Sequence, residues 1–375
     1  MPSHRTGGFM HIRISRDELY SGVGPIQAVV ETKRSLPILS HLLLEASSNR
    51  LSIFGTDLDV GVRKRLDGEV LKEGSIALSA RKLYEIIREL PAATVELNAD
   101  ADLTATITCG KSEFRMKGLP RDDFPSMREP KEGGILLERR LFRDMIRRTL
   151  FAVSSDQTRY TLNGILFRVT QKDAKMVATD GHRLAITTHD GDLIKDRKPV
   201  EAIIPRKAAA EALKLLKDEP GEVEIEAGEN HLLLSSDNTL IDARLIEGQF
   251  PNYEQVIPAT ATQQVTIGRD ALLAGLRRTS TIIGERTIPT TMEFKPGQLL
   301  LSCVNLDLGE ARERLDVEYQ HEEMTVGFNA RYILDFLSVV EAGQVTMHLQ
   351  DPLSPALFRA KDDKKYTCVI MPMRI

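Results

Sequence analysis

A chain of 375 residues, 42% hydrophobic and 28% charged, is too long for one core and is expected to hold two or three domains. No run of eighteen apolar residues occurs, which excludes a spanning helix and a membrane partner, and Met1–Phe9 carries one Arg and no apolar h-region, unlike a secretory signal. The net charge of −4 argues against a uniformly basic nucleic-acid binder but leaves room for a locally basic surface.

Taken in order, residues 1–9 read as a disordered extension, and strand-like HIRI directly after Met10 makes that Met an alternative start. SLPILSHLLLEA then places Leu36 before an apolar run. TLNGILFRV does the same for Leu162 and TIPTTMEF for Ile288, each 126 residues further on. Later helical segments open at Arg81 (SARKLYEIIREL), Arg206 (PRKAAAEALKLL) and Arg331 (NARYILDFLSVV), 125 residues apart. The turns Thr56-Asp57, Thr179-Asp180 and Asn305-Leu306 fall in the same register, and FRMKGLP, ARLIEGQFP and YTCVIMPMRI close the three units. Two agreeing periods in different elements mark an internal triplication. Each unit reads helix, three strands, helix, strands, and apolar–polar alternation predicts antiparallel sheets. The fold class is therefore α+β, three similar repeats of antiparallel sheet plus two helices, with domains at 1–129, 134–253 and 254–375.

The charge is unevenly spread. At 100° per residue, segment 139–151 puts Arg139, Arg140, Arg143 and Arg147 on one arc, with Leu141, Phe142, Met145 and Ile146 opposite. Segment 206–217 repeats the pattern with Arg206, Lys207, Lys214 and Lys217, and 269–281 adds Arg269, Arg277 and Arg278. These three segments carry nine more basic than acidic residues, so the remainder stands near −13. The other helical segments, 15–34, 79–90 and 329–341, are nearly neutral. Basic helix faces at equivalent places in a repeat predict a shared positive surface.

Catalytic signatures are sparse. Gly22-Val23-Gly24 lies inside a helical segment, and neither a phosphate-binding G-x-x-x-x-G-K-[ST], a G-x-S-x-G elbow nor an H-E-x-x-H occurs. Cys109, Cys303 and Cys368 lack metal-ligand spacing and read as reduced buried thiols of a cytoplasmic protein. No cofactor and no metal is expected. In VATDGHRLAI (177–186) a polar knuckle interrupts two apolar strands, with Gly181 at the position of positive φ. Asp180 and His182 there are either an acid–base or metal pair, as in an enzyme acting on nucleic acid, or a turn in which Asp180 accepts from its own backbone and His182 is half-exposed.

RSLPILSHLLLEA (34–46), RYTLNGILF (159–167), VATDGHRLAI, IPRKAAAEALKLL (204–216), EGQFPNYEQVIP (247–258), GFNARYILDFL (327–337) and terminal VIMPMRI (369–375) together resemble the bacterial DNA polymerase III beta subunit family, the sliding clamps. The resemblance runs in order from about Met10 to the last residue. It implies the DNA clamp fold and a non-catalytic processivity factor: a ring-shaped homodimer around double-stranded DNA, bound without sequence preference. Partners implied are the replicative polymerase catalytic subunit, the clamp loader, other polymerases and repair factors, engaged through short peptides in which a polar residue precedes Leu and Phe. The implied peptide site is Leu162, Thr179, Gly181, His182, Arg183, Leu184, Pro251, Val256, Tyr332, Val369, Met371, Pro372, Met373 and Arg374, with Thr, His and Arg at the rim. Pro372, unable to donate to a ladder, is expected to leave the sheet and free Met371 and Met373 to line the site. The sequence departs from the family pattern at Thr161 and Gln255. The implied DNA face is Lys33, Arg34, Arg81, Arg147, Arg159, Tyr160, Arg206 and Lys207. Phe114, Met116, Ile282 and Ile283 are the dimer-interface candidates.

Overall fold

The computed structural model describes residues 10–30, 36–131, 133–191, 193–194, 198–258, 262–284 and 288–375. The first repeat runs β1 (Met10–Ser15), α1 (Arg16–Gln27), β2 (His41–Ser47), β3 (Arg50–Thr56), β4 (Val60–Asp67), β5 (Glu69–Lys72), β6 (Gly74–Ser79), α2 (Ala80–Glu89), β7 (Thr94–Ala99), β8 (Thr104–Cys109) and β9 (Ser112–Lys117). The second runs β10 (Ile135–Glu138), α3 (Arg139–Leu150), β11 (Gly164–Val169), β12 (Asp173–Thr179), β13 (Arg183–Asp190), β14 (Val200–Pro205), α4 (Arg206–Leu215), β15 (Glu222–Ala227), β16 (His231–Ser236) and β17 (Thr239–Arg244). The third runs β18 (Gln263–Gly268), α5 (Arg269–Thr279), β19 (Thr290–Lys295), β20 (Gln298–Asn305), β21 (Gly309–Asp316), β22 (Met324–Phe328), α6 (Ala330–Val339), β23 (Gln344–Leu349), β24 (Ala356–Ala360) and β25 (Asp363–Ile370). The expected order thus gains an opening strand before each first helix, and the three strands expected between the helices are four in the second and third repeats and five, with the short β5, in the first.

The chain divides into two compact units, 1–143 with 210–245, and 144–209 with 246–375. In the first unit, a five-stranded sheet has the order β5-β1-β7-β8-β9 and an eight-stranded sheet the order β10-β15-β16-β17-β4-β3-β2-β6. In the second, an eight-stranded sheet runs β14-β11-β12-β13-β25-β24-β23-β18 and a four-stranded sheet β21-β20-β19-β22. The units follow the sheets and not the repeats, because each eight-stranded sheet is continuous across a repeat boundary. At these seams β4 pairs antiparallel with β17 (Ile241 opposite Val62) and β13 with β25 (Leu184 opposite Val369).

The helices form where the sequence caps and stripes them. Ser15 Oγ accepts from Glu18 N (3.2 Å) at the start of α1, with Asp17 and Glu18 in the first turn. Leu19, Val23 and Ile26 recur at helical spacing and bury against β3 and β4. In the second unit, Asn329 Oδ1 accepts from Arg331 N (3.0 Å) to cap α6, and Ile333, Phe336 and Leu337 enter a core shared with Leu272 and Leu276 of α5. Each such side chain contributes about 1.5–3 kcal/mol by leaving water.

One turn, built three times, precedes the third strand of each hairpin set. Asp57 is buried and its Oδ1 accepts from Asp59 N (3.0 Å) and Val60 N (2.8 Å). Asp180 Oδ1 accepts from His182 N (2.9 Å) and Arg183 N (3.0 Å). Asn305 Oδ1 accepts from Asp307 N (2.9 Å) and Leu308 N (3.3 Å). A side-chain oxygen that captures two backbone donors stands in for a ladder partner. Replacing Asp57 by Ala takes the acceptor from two backbone donors, that of Val60 buried, and should cost about 1–3 kcal/mol. Asp57→Asn should retain most of the stability, since Asn305 performs the same task. The urea midpoint of unfolding of the two variants checks this, and equal loss in both would refute the acceptor role.

A candidate peptide-docking groove

The groove begins at the β12–β13 turn. Thr179 Oγ1 accepts from Gly181 N (3.1 Å) and donates to Arg183 O (2.7 Å), and Gly181 takes φ +88°, a conformation an L side chain resists. The seam supplies the opposite wall: Leu184 faces Val369, and Met371, one residue past β25, donates its N–H to His182 O (2.9 Å). A 3-10 turn at Tyr253–Val256, capped by Asn252 Oδ1 accepting from Glu254 N (3.2 Å), closes the third side. Between them lies a mostly apolar cavity of about 190 Å3. Leu162, Thr179, Gly181, His182, Arg183, Leu184, Pro251, Val256, Val369 and Met371 line it, together with Asn252 and Tyr253. Behind the walls, Leu166, Val177, Ile203 and Phe250 make a dry floor.

Asn252 and Tyr253 are the lining residues that sequence reasoning missed. Their position between Pro251 and Val256 was the available signal. Met371 is 39% exposed, a flexible apolar chain at the mouth.

Other site residues sit elsewhere. Tyr332 lines a second, polar cavity of about 930 Å3, beside Ser154, Asp156, Arg159, Arg206, Asn329 and Asp335, which also meets His182 and Arg183. Pro372, Met373 and Arg374 are not among the groove's lining residues. Met373 N instead donates to Gly327 O (2.8 Å) of β22, the counterpart of Leu119 on Ala77 and Ile246 on Ile203 in the other repeats. Met373 thus joins the edge of β22 through its backbone, and of Met371–Arg374 it is Met371 that lines this cavity.

Arg183 is also not a free rim cation. Nε donates to Asp180 Oδ2 (3.1 Å), Nη1 to Asp335 Oδ2 (2.6 Å) and Nη2 to Phe151 O (2.6 Å), with the Tyr332 and Phe151 rings 4.4 and 5.1 Å from its guanidinium carbon. It is a wall common to both cavities. Burial, with Asp180 close by, pushes the Tyr332 hydroxyl up. Asp180 is spent as well, one oxygen on the turn and the other on Arg183. This removes the free carboxylate that an acid–base pairing with His182 requires. Burial pushes the Cys368 thiol, in the seam strand, up to about 12.

Among the basic candidates, Arg159, Tyr160 and Arg206 are exposed, and Lys207 is half-buried. Arg147 donates to Asp144 Oδ1 (2.6 Å) and Glu341 Oε1 (2.9 Å), and Arg81, in the first unit, to Glu85 Oε1 (2.8 Å). Lys33 and Arg34 lie outside the described residues, as does the extension 1–9. The basic arc of α3 is corrected more strongly. Arg139 is buried, bonded to Asp237 and Pro220 O, and Arg143 donates to Leu216 O (2.5 Å). These two cations hold the fold together and add little to a surface field.

Of the interface candidates, Phe114 is exposed on edge strand β9 while Met116 is buried. Ile282 is half-buried, and Ile283 packs on the third-repeat core with its carbonyl accepting from Asn305 Nδ2 (3.2 Å). Leu306, 99% exposed, and exposed Leu308 at the β20–β21 end were missed.

The chain is thus a triplicated α+β scaffold with an apolar groove at a seam, and the acidic residue of its VATDGHRLAI knuckle is committed to structure. Family models for the N-terminal, central and C-terminal domains of the DNA polymerase III beta subunit match residues 10–128, 136–252 and 254–374. A beta sliding clamp of Pseudomonas putida is 34% identical over 371 residues, covering 98% of this chain and 100% of that protein. The crystal structure of a Pseudomonas aeruginosa DnaN sliding clamp bound to griselimycin is 33% identical with a TM-score of 0.93, covering 98% of this chain and 100% of that one. A Bacillus subtilis DNA polymerase sliding clamp is 28% identical, with TM-score 0.93, covering 98% and 99%. The chain belongs to the DNA polymerase III beta subunit family, the beta sliding clamps, whose members are non-catalytic.

Arg183→Lys keeps the charge but loses the fork that serves two carboxylates and a carbonyl, and should lower stability by about 2 kcal/mol. Thermal denaturation checks this, and an unshifted midpoint would mean the guanidinium contacts are incidental.

Proposed function

We propose that the chain is a DNA sliding clamp of three domains, 1–129, 134–253 and 254–375, closed head to tail with a second copy into a ring around duplex DNA in the cytoplasm. The observation that carries the ring is the pairing rule within one chain. The third hairpin strand of one repeat pairs with the last strand of the next, β4 with β17 and β13 with β25. That rule leaves β21 and β9 unmatched, and both are sheet edges. Carried over, the register of the first seam sets Gly309 opposite the partner's Met116 and Ala311 opposite the partner's Phe114, with exposed Leu308 at the head of the same strand. An exposed apolar pair on an open edge is costly unless covered.

Arg159, Tyr160 and Arg206, with Arg81, Arg147, Lys207, Lys33 and Arg34, are assigned to the DNA path. Phosphate attraction is sequence-blind, which suits a ring that must move along any sequence. The groove tethers the replicative polymerase, the clamp loader and repair factors through short peptides that set Leu and Phe side chains against Leu162, Leu184, Val369 and Met371. Adaptable Met and a shallow mouth suit several ligands.

Leu308→Asp with Phe114→Asp should halve the particle mass in sedimentation at micromolar concentration. A wild-type chain that is itself monomeric there would sink the ring. The ring should stay on nicked circular DNA and leave once that DNA is cut, and retention on linear DNA would contradict topological holding. Arg206→Ala with Lys207→Ala should weaken association equally across sequences and lower the slope of log affinity against log salt by about 2.

A further inference from the structure

The first seam carries a cavity of about 350 Å3, formed wholly within the first unit. It is the positional counterpart of the groove at the second seam. Thr56 stands where Thr179 does, Leu58 where Gly181 does, and Gly61 where Leu184 does, because Asp57 and Asp180 hold the same turn. Gly61 faces Asp242 across the seam as Leu184 faces Val369, so Asp242 replaces Val369 and Arg244 replaces Met371. The connecting segment matches too, with Pro125 and Met127 at the places of Pro251 and Tyr253.

The side chains change its chemistry. Asp242 Oδ1 lies 2.6 Å from His231 Nδ1, and Arg128 Nη1 lies 3.0 Å from that nitrogen and 3.6 Å from Asp242 Oδ2. That carboxylate is therefore already answered. The exposed Arg244 guanidinium has no ion-pair partner among the described residues and leaves the wall with a net positive rim. Phe54 and Met127 supply an apolar floor. At the lip, Leu58 is 48% exposed and takes φ +78°, where the second repeat uses glycine. A leucine held in a left-handed conformation with its side chain toward solvent is strain retained without a packing reward, the pattern of a contact surface.

We propose that this first-seam cavity is a second docking site, for an extended peptide that sets a carboxylate against Arg244 and an apolar side chain between Leu58 and Met127. The class of ligand rests on the reading of the second-seam groove. The preference for an acidic residue rests on Arg244 alone and is independent of it.

The full chain labelled with 13C-methyl methionine reports both places at once, through Met127 in the cavity and Met371 in the groove. The probes are the acetylated amides of Glu-Leu-Phe and Gln-Leu-Phe. The acidic peptide should move the Met127 methyl, more weakly at high salt, and Arg244→Glu should weaken that response about tenfold. The same variant should leave the Met371 response to Gln-Leu-Phe unchanged, and an unmoved methyl of buried Met10, in the same unit as Arg244, confirms that it folds. If Met371 moves and Met127 stays still, the second site is refuted while the groove stands. If Met127 moves equally with both peptides, or equally in Arg244→Glu, recognition by charge is refuted. If neither methyl moves with either peptide, the groove reading falls and the second site falls with it.

Discussion

Backbone hydrogen bonding across the seams is the constraint on which the other features rest. A sheet edge is a row of unmet donors and acceptors, and each repeat ends with one such edge and presents another. Pairing β4 with β17 and β13 with β25 satisfies them without reference to side chains. It also explains why the compact units cut through the middle repeat, whose strands are shared between two continuous sheets. The turn that captures two backbone N–H groups on Asp57 or Asp180 delivers the third strand to that edge in the same register both times, and Asn305 captures two in the same way.

Much of this was legible because it is periodic. Leu36, Leu162 and Ile288, or Arg81, Arg206 and Arg331, repeat by position, and repetition survives in a sequence even when contacts are invisible. The turn role of Asp180 was one of two readings that the residues allowed, and it turned on where the carboxylate's hydrogen bonds go. What was not legible was pairing over distance. A helical wheel sees Arg139 and Arg147 on one arc. It cannot see Asp237, 98 residues on, or Glu341, 194 residues on, which turn surface charge into structural ion pairs. The backbone bond of Met373 was hidden for the same reason, since its partner Gly327 lies in another strand. Tyr332 belongs with the groove by proximity to Arg183 but opens onto the larger cavity behind it.

Arg183 shows how one side chain can link two cavities without serving as a ligand in either. Its three nitrogens each donate, to two carboxylates and a carbonyl, and two aromatic rings lie beside the guanidinium. Lysine has the charge but neither the planarity nor the number of fixed directions. With the Thr179 hydroxyl also spent on the turn, the rim polarity falls to His182, which makes the groove less cationic than its composition suggests.

Because the seams are made by main chain, their side chains are free to diverge. Leu184, Val369 and Met371 make the second seam apolar. Gly61, Asp242 and Arg244, at the same places, make the first one deep and charged. Five differing positions, these three with Leu58 for Gly181 and Met127 for Tyr253, therefore separate two cavities of different charge on one backbone plan, with no change in strand register. A fold that repeats its joints can vary what each joint binds while leaving intact the pairing that holds the chain together. The site at one seam is then best understood by asking what its counterpart at the next has become.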